Sequence, residues 1–135
     1  MRIVIDTNVI ASAMFFGGKL RALLEMVVTK ELEAYASEEI VVEYKETAEE
    51  LQSRYPGKSL QLPLGIIIAA MKLIAPVSHV KVCRDPDDDK FIACAVDAKC
   101  LYIVSGDKDL LAVKHYQDVQ IVTVAEFLEQ YDRRA

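Results

Sequence analysis

The chain of 135 residues is poor in the residues that mark several common chemistries. It has two histidines, His79 and His115, with no ligand spacing to each other or to a cysteine, which argues against a zinc centre. Both lie outside the acidic stretches, so no Ser-His-Asp arrangement is expected. Its three cysteines, Cys83, Cys94 and Cys100, form no CxxC pair and are odd in number. Buried thiols in a reducing cytoplasm are therefore expected, not disulfides. A Walker loop and a GxGxxG fingerprint are both missing, which leaves nucleotide cradling without support. The longest apolar stretch, Leu62 to Ala75, is broken by Pro63, Gly65 and Lys72 and is too short to span a bilayer. The start shows no basic region followed by a long apolar one, so no secretory signal is expected. Nor is there an excess of positive charge: 16 Lys and Arg face 21 Asp and Glu, for a net charge of -5. A domain that binds nucleic acid by electrostatics alone is usually basic, so a nucleic-acid role here needs metal ions or a local basic patch.

What the chain does have is a regular alternation of strand and helix patterns within a length suited to one domain, residues 1–135, large enough for a core without staples. Arg2 to Asp6 reads as a first strand, its run Ile3-Val4-Ile5 apolar and β-branched as in a strand buried on both faces. Thr7 and Asn8 offer side-chain oxygens to cap the segment Val9 to Phe15, and Phe16-Gly17-Gly18 breaks the chain. Leu20, Leu23, Leu24, Val27 and Val28 recur at helical spacing within 19–29. A short strand is expected over 32–36, then a helix capped by Ser37 and running to about Arg54, before Tyr55-Pro56-Gly57. A helix is expected over 60–75, starting near Pro63, and a strand over 77–82. Another helix should run from Asp85-Pro86 to about Lys99. Leu101 to Val104 is a strongly apolar strand, followed by a short helix over 108–113, a last strand over 119–122 and a final helix capped by Thr123. Such alternation means an α/β fold: a parallel sheet with helices on both faces.

Most acidic residues are explained by solvated helix faces or by helix starts. A few are not. Asp6 ends the first strand abruptly, with no turn residue between, where open α/β sheets place their ligands. Asp107, after Leu101–Val104 and Ser105-Gly106, stands at the same edge, although it also suits an N-cap; Asp109 falls in the first turn of the short helix. Glu43 borders the apolar row Ile40, Tyr44, Ala48 and Leu51. In the run Asp85-Pro86-Asp87-Asp88-Asp89, the helix dipole accounts for Asp85, Asp87 and Asp88. Asp89 instead heads the row of Ile92, Ala93 and Val96 that should face the sheet, where a carboxylate is costly unless something cationic meets it.

Asp6, Glu43, Asp89 and Asp107 would converge on one edge and, if left bare, repel one another by an energy on the order of several kcal/mol. Divalent cations relieve this, and all-oxygen ligands suit Mg²⁺ or Mn²⁺. The chemistry that uses such a cage is phosphoryl transfer to water.

The motifs Ile3-Val4-Ile5-Asp6-Thr7-Asn8-Val9, Ser37 through Glu43, Asp85 through Ile92, and Val104-Ser105-Gly106-Asp107-Lys108-Asp109-Leu110 occur in this order and span essentially the whole chain. Together they resemble the PIN-domain family, most closely the stand-alone prokaryotic PIN proteins regarded as toxins of toxin–antitoxin pairs. The resemblance implies a three-layer α/β/α fold with a central five-stranded parallel sheet, its first strand central. It implies a Mg²⁺- or Mn²⁺-dependent endoribonuclease in which Asp6, Glu43, Asp89 and Asp107 match the acidic quartet. Asn8 and Ser105 match supporting polar positions, and Asp109 an accessory acid. The run Asp87-Asp88-Asp89 leaves the register of the third acid open, with Asp89-Lys-Phe-Ile-Ala favouring Asp89. An RNA substrate, a cognate antitoxin and a homodimer are further implications. Lys19, Arg21, Lys90 and Lys108 are the candidates for phosphate contacts, and Phe15 or Phe16 for stacking a base. Two rival readings remain. One is a PIN scaffold that binds RNA or protein without turnover. The other is a receiver-like phospho-acceptor domain, which would want adjacent acids at the end of the first strand, where the chain offers only Asp6.

Overall fold

The apolar run Ile3-Val4-Ile5 is fully buried and forms the strand around which the sheet is built, β1 (Arg2–Ile5). The computed structural model describes residues 1–57 and 63–134. After β1 come α1 (Thr7–Phe15), α2 (Lys19–Val28), β2 (Glu33–Ala36), α3 (Glu38–Arg54), α4 (Leu64–Ala70) and β3 (Lys72–Leu73). A 3-10 turn over Pro86–Asp88 leads into α5 (Asp89–Asp97). The chain ends with β4 (Tyr102–Val104), α6 (Lys108–Val113), β5 (His115–Tyr116), β6 (Val119–Val122) and α7 (Val124–Arg134).

The sheet has six strands in the order β3-β2-β1-β4-β6-β5. β3, β2, β1, β4 and β6 pair in parallel, and the short β5 pairs antiparallel with β6. The five parallel strands match expectation, with one antiparallel edge strand added. The chain first steps outward from β1 through β2 to β3, then returns to place β4 on the other side of β1. The order thus reverses between β1 and β4, and the crevice outside the carboxyl ends of these two strands is where open α/β sheets bind ligands. The pairing of Ile5 with Val104 sets Asp6 and Ser105, the next residue of each strand, side by side. The Asp6 backbone N–H donates to the Val104 carbonyl at 2.9 Å. α5 packs across β1, β2 and β4, while α1 packs on α2 and α3, and α2 on α4 and α7, giving the three-layer α/β/α arrangement.

Several local expectations are corrected. The helix expected over 60–75 is α4, which ends at Ala70; residues 60–62 of that expectation lie outside the described residues. The chain then turns extended, pairing Lys72 and Leu73 with Tyr35 and Ala36, and the Ile74 N–H donates to the Ala36 carbonyl at 3.0 Å. Pairing at the open edge of β2 outweighs helical propensity, which is a weak prior against tertiary context. The edge strand is therefore 72–73, and the expected strand 77–82 is irregular backbone without a ladder partner. The helix expected from Asp85 begins with the 3-10 turn, whose N–H of Asp87 is capped by the Asp85 carboxylate at 3.0 Å, and α5 ends at Asp97. Asp6, not Thr7 or Asn8, holds the N-cap position of α1 and makes no side-chain cap there. Ser37 does cap α3, accepting from the Ile40 N–H at 3.3 Å. Thr123 and Glu126 cap α7 reciprocally at 3.1 Å, a capping box. Among the described residues no helix is long and apolar enough to cross a membrane.

Candidate metal centre

β1 delivers Asp6 to the crevice with its side chain almost wholly buried, 4% exposed. Buried Ser105, at the end of β4, donates its hydroxyl to Asp6 Oδ2 at 2.8 Å. The same Oγ accepts the Asp107 backbone N–H at 2.9 Å, so one serine ties the two strand ends together. Asp107 in turn caps α6, accepting the Leu110 N–H at 3.1 Å through Oδ2. Both readings of Asp107, helix cap and crevice carboxylate, therefore hold at once, because the carboxylate that caps α6 also lies with Asp88 and Asp109.

The third acid to arrive is Asp88. Asp88, Asp107 and Asp109 each present a carboxylate oxygen within 4.8 Å of the others. The sequence favoured Asp89, which in the structure is bound by backbone N–H groups at the edge of this group. Asp89 is 9% exposed and its Oδ1 accepts the backbone N–H groups of Val82 at 3.1 Å and Cys83 at 2.9 Å. The cost of a carboxylate on the sheet-facing row is met by peptide dipoles, not by a cation. Asp88 closes the 3-10 turn and stands at the N-cap position of α5. Counting back from Ile92 by three and four reaches Asp89 and Asp88 alike, so spacing does not separate them.

Glu43, in the second turn of α3, stands at the flank of this group. It accepts a hydrogen bond from the Thr7 hydroxyl on Oε2 and an ion pair from Lys90 Nζ on Oε1 at 3.2 Å. Lys90 Nζ also reaches Asp87 Oδ2 at 2.9 Å. Burial opposes the charge of Lys90, but its hydrogen bonds to Asp87 and Glu43 prevail and raise its pKa. Asn8 is exposed in the first turn of α1 and makes no hydrogen bond to these acids among the described residues.

Among the described residues no Lys or Arg lies within ion-pair distance of Asp6, Asp88, Asp107 or Asp109. Burial, with the charges of Asp107 and Glu43 adding to it, raises Asp6 from 3.8 to about 6 even though Ser105 and the Thr7 N–H hydrogen-bond to it. Burial, then the charge and hydrogen-bonding contact of Asp107, raise Asp88 to about 7. Two carboxyls held this high beside Asp107 and Asp109 fit a hard divalent cation, and the donor set is all oxygen. Sulfur offers no competing ligand: burial and the Asp89 carboxylate push the nearby Cys83 thiol up to about 12.

The other candidates are spread around the crevice. Lys108 is exposed beside Asp107 and Asp109, Lys19 is exposed at the start of α2, and Arg21 pairs with Glu25 at 3.0 Å. Phe15 is in the core, while half-exposed Phe16 lines an apolar cup of about 270 Å³ with Leu51 and Tyr55, beyond the C-terminal end of α1. An open groove of about 1630 Å³ runs beside the acids, walled by Val42, Leu73 and Val77 and meeting them at Asp87, Asp89 and Lys90. Three residues of this site carried a different reading from sequence. Thr7 looked like a cap, Asp88 like one acid of a dipole-favoured first turn, and Lys90 like a phosphate contact, whereas in the structure it pairs with Glu43 and Asp87. A polar residue directly following a strand-end acid, as Thr7 follows Asp6, was the one usable signal.

Comparison with known proteins gives two findings. The sequence model described as PIN domain matches residues 2–109. An uncharacterized protein of Methanocaldococcus jannaschii is 28% identical over 145 aligned positions, covering 98% of this chain and 93% of that protein. PIN domains are typically nucleases, and those nucleases usually depend on divalent metal ions.

Proposed function

The chain belongs to the PIN domain family, and from that premise we propose that it is a Mg²⁺- or Mn²⁺-dependent endoribonuclease. The observation that carries the reading is the convergence of Asp88, Asp107 and Asp109, with Asp6 as their electrostatic neighbour, at the point where the strand order reverses. Asp6, Asp88, Asp107 and Asp109 would hold the ion, with Glu43 beside them. When bound, a divalent cation supplies charge neutralisation and Lewis acidity at a phosphodiester.

The chain's own residues do the positioning. Ser105 fixes the orientation of Asp6 and, through the Asp107 N–H, the spacing of the two strand ends. Burial of Asp6 removes competing water from one side of the group and strengthens every charge interaction within it. Asp88, raised to about 7 by burial and by Asp107, would hold a divalent cation only in its deprotonated form. Thr7 and Lys90 keep Glu43 in a single orientation at the edge of the crevice. Exposed Lys108 is placed to meet an RNA phosphate next to Asp107 and Asp109.

The biological setting in this reading is the cytoplasm, where the protein is the toxin of a toxin–antitoxin pair, restrained by a cognate antitoxin and acting as a homodimer. The likeness of its motifs to stand-alone prokaryotic PIN proteins supports this. The test is cleavage of structured and single-stranded RNAs with Mg²⁺, with Mn²⁺ and with EDTA, run beside Asp6→Asn. Metal-dependent cleavage, lost in EDTA and in the variant, is expected. Asp6→Asn cleaving at the wild-type rate would remove Asp6 from the reaction.

A further inference from the structure

The acids of the crevice fall into two groups that are treated differently. Asp6, Asp88, Asp107 and Asp109 have no Lys or Arg within ion-pair distance among the described residues. Glu43 and Asp87 share one ammonium, that of Lys90. The Lys90 side chain is 8% exposed, unusual for a lysine, and is fixed by three oxygens: Glu43 Oε1 at 3.2 Å, Asp87 Oδ2 at 2.9 Å and the Asp87 carbonyl at 2.9 Å. Its Nζ also lies 5.3 Å from the centre of the Phe91 ring. A cation held by carboxylates and a carbonyl, shielded from water, occupies the kind of oxygen cage that a second divalent ion would need.

We propose that Lys90 is the built-in second cation of this crevice: its ammonium fills the Glu43–Asp87 half, so that the protein takes up a single divalent ion, in the Asp6–Asp88–Asp107–Asp109 half. This rests on the metal-dependent reading above and narrows it. Charge and space give the reason. A divalent ion beside Glu43 would have to displace or approach the Lys90 ammonium, whose side chain is 8% exposed, and like charges in such contact repel. Lys90 acts here as a positioning residue. It holds Glu43 and Asp87 in place and need not touch the substrate.

The test is titration with Mn²⁺ alone, in the absence of RNA, reading bound and free ion by electron paramagnetic resonance. The wild type is expected to bind one Mn²⁺ per chain. Lys90→Met should bind two, because it leaves Glu43 and Asp87 unpaired. Lys90→Arg, which keeps the charge, should return to one, and Glu43→Gln in the Lys90→Met background should also return to one. Two ions bound by the wild type, or one bound by a folded Lys90→Met, would overturn this inference and leave the metal-dependent nuclease standing. No Mn²⁺ bound by the wild type would overturn both.

Discussion

Asp6 is a carboxylate placed where water hardly reaches it. Its pKa is raised from 3.8 to about 6, first by burial and then by the charges of Asp107 and Glu43. A raised carboxyl favours the folded state below its unfolded pKa, and that benefit is lost as pH climbs through the folded value. At neutral pH, without metal, charged Asp6 therefore opposes folding by roughly 3 kcal/mol, at about 1.4 kcal/mol per unit. Asp6→Asn keeps an oxygen for the Ser105 hydroxyl and removes the charge. It is expected to raise the Tm in EDTA at pH 8, by thermal unfolding, while abolishing cleavage. A lower Tm would mean that the charge is met by something in the fold. Asp6 was legible from sequence because it ends an apolar strand with no turn residue after it. Asp88 was not, because three consecutive aspartates are equivalent in composition and only the fold shows which of them lies with Asp107 and Asp109.

At the scale of elements, α5 organises the irregular segment before it. Asp89 at the helix start holds the N–H groups of Val82 and Cys83. At the helix end, Asp97 accepts the Val77 N–H at 2.6 Å, the Ser78 N–H at 3.0 Å and the Ser78 hydroxyl. Two carboxylates of one helix thus fix a strandless stretch at both ends, and that stretch walls the groove beside the acids. Both backbone N–H groups at Asp89 go to Oδ1, so an amide oxygen in the same place suffices for them. Asp89→Asn should leave stability within about 1 kcal/mol of wild type, and Asp89→Ala should cost roughly 2–4 kcal/mol by stranding two N–H groups. Urea unfolding of both variants checks this, and equal losses would show that the charge itself matters. The alternation in 77–82 suggested a strand, but periodicity does not reveal whether a neighbour is free to pair. β2 gave its open edge to Lys72 and Leu73, which lie nearer in the chain after α4. Strands β1 and β4 were legible because each holds an apolar run with a definite stop, whereas β2, Glu33-Ala34-Tyr35-Ala36, gave only a weak signal.

For the whole molecule, the sheet order explains why acids far apart in sequence meet. Alternating strands and helices announced a parallel sheet, but the return of the chain to the far side of β1, which creates the crevice, is a long-range choice with no local signature. A fold carrying raised carboxyls at Asp6 and Asp88 should gain from metal chiefly where those groups would be ionised. Mg²⁺ or Mn²⁺ should therefore raise the Tm clearly at pH 8 and little at pH 5, measured by calorimetry. A shift equal at both pH values would place the ion away from these two acids.

The claim that the functional edge is built on Asp88 is tested most directly by comparing RNA cleavage in Mn²⁺ by the wild type, Asp88→Asn and Asp89→Asn under identical conditions. The account predicts a loss of roughly 100-fold or more for Asp88→Asn, and a rate within about tenfold of wild type for Asp89→Asn. The reverse order would make Asp89 the metal-facing acid and contradict the geometry of the crevice. No cleavage by a folded wild type free of any co-purified partner would contradict the nuclease itself and favour a PIN scaffold that binds without turnover.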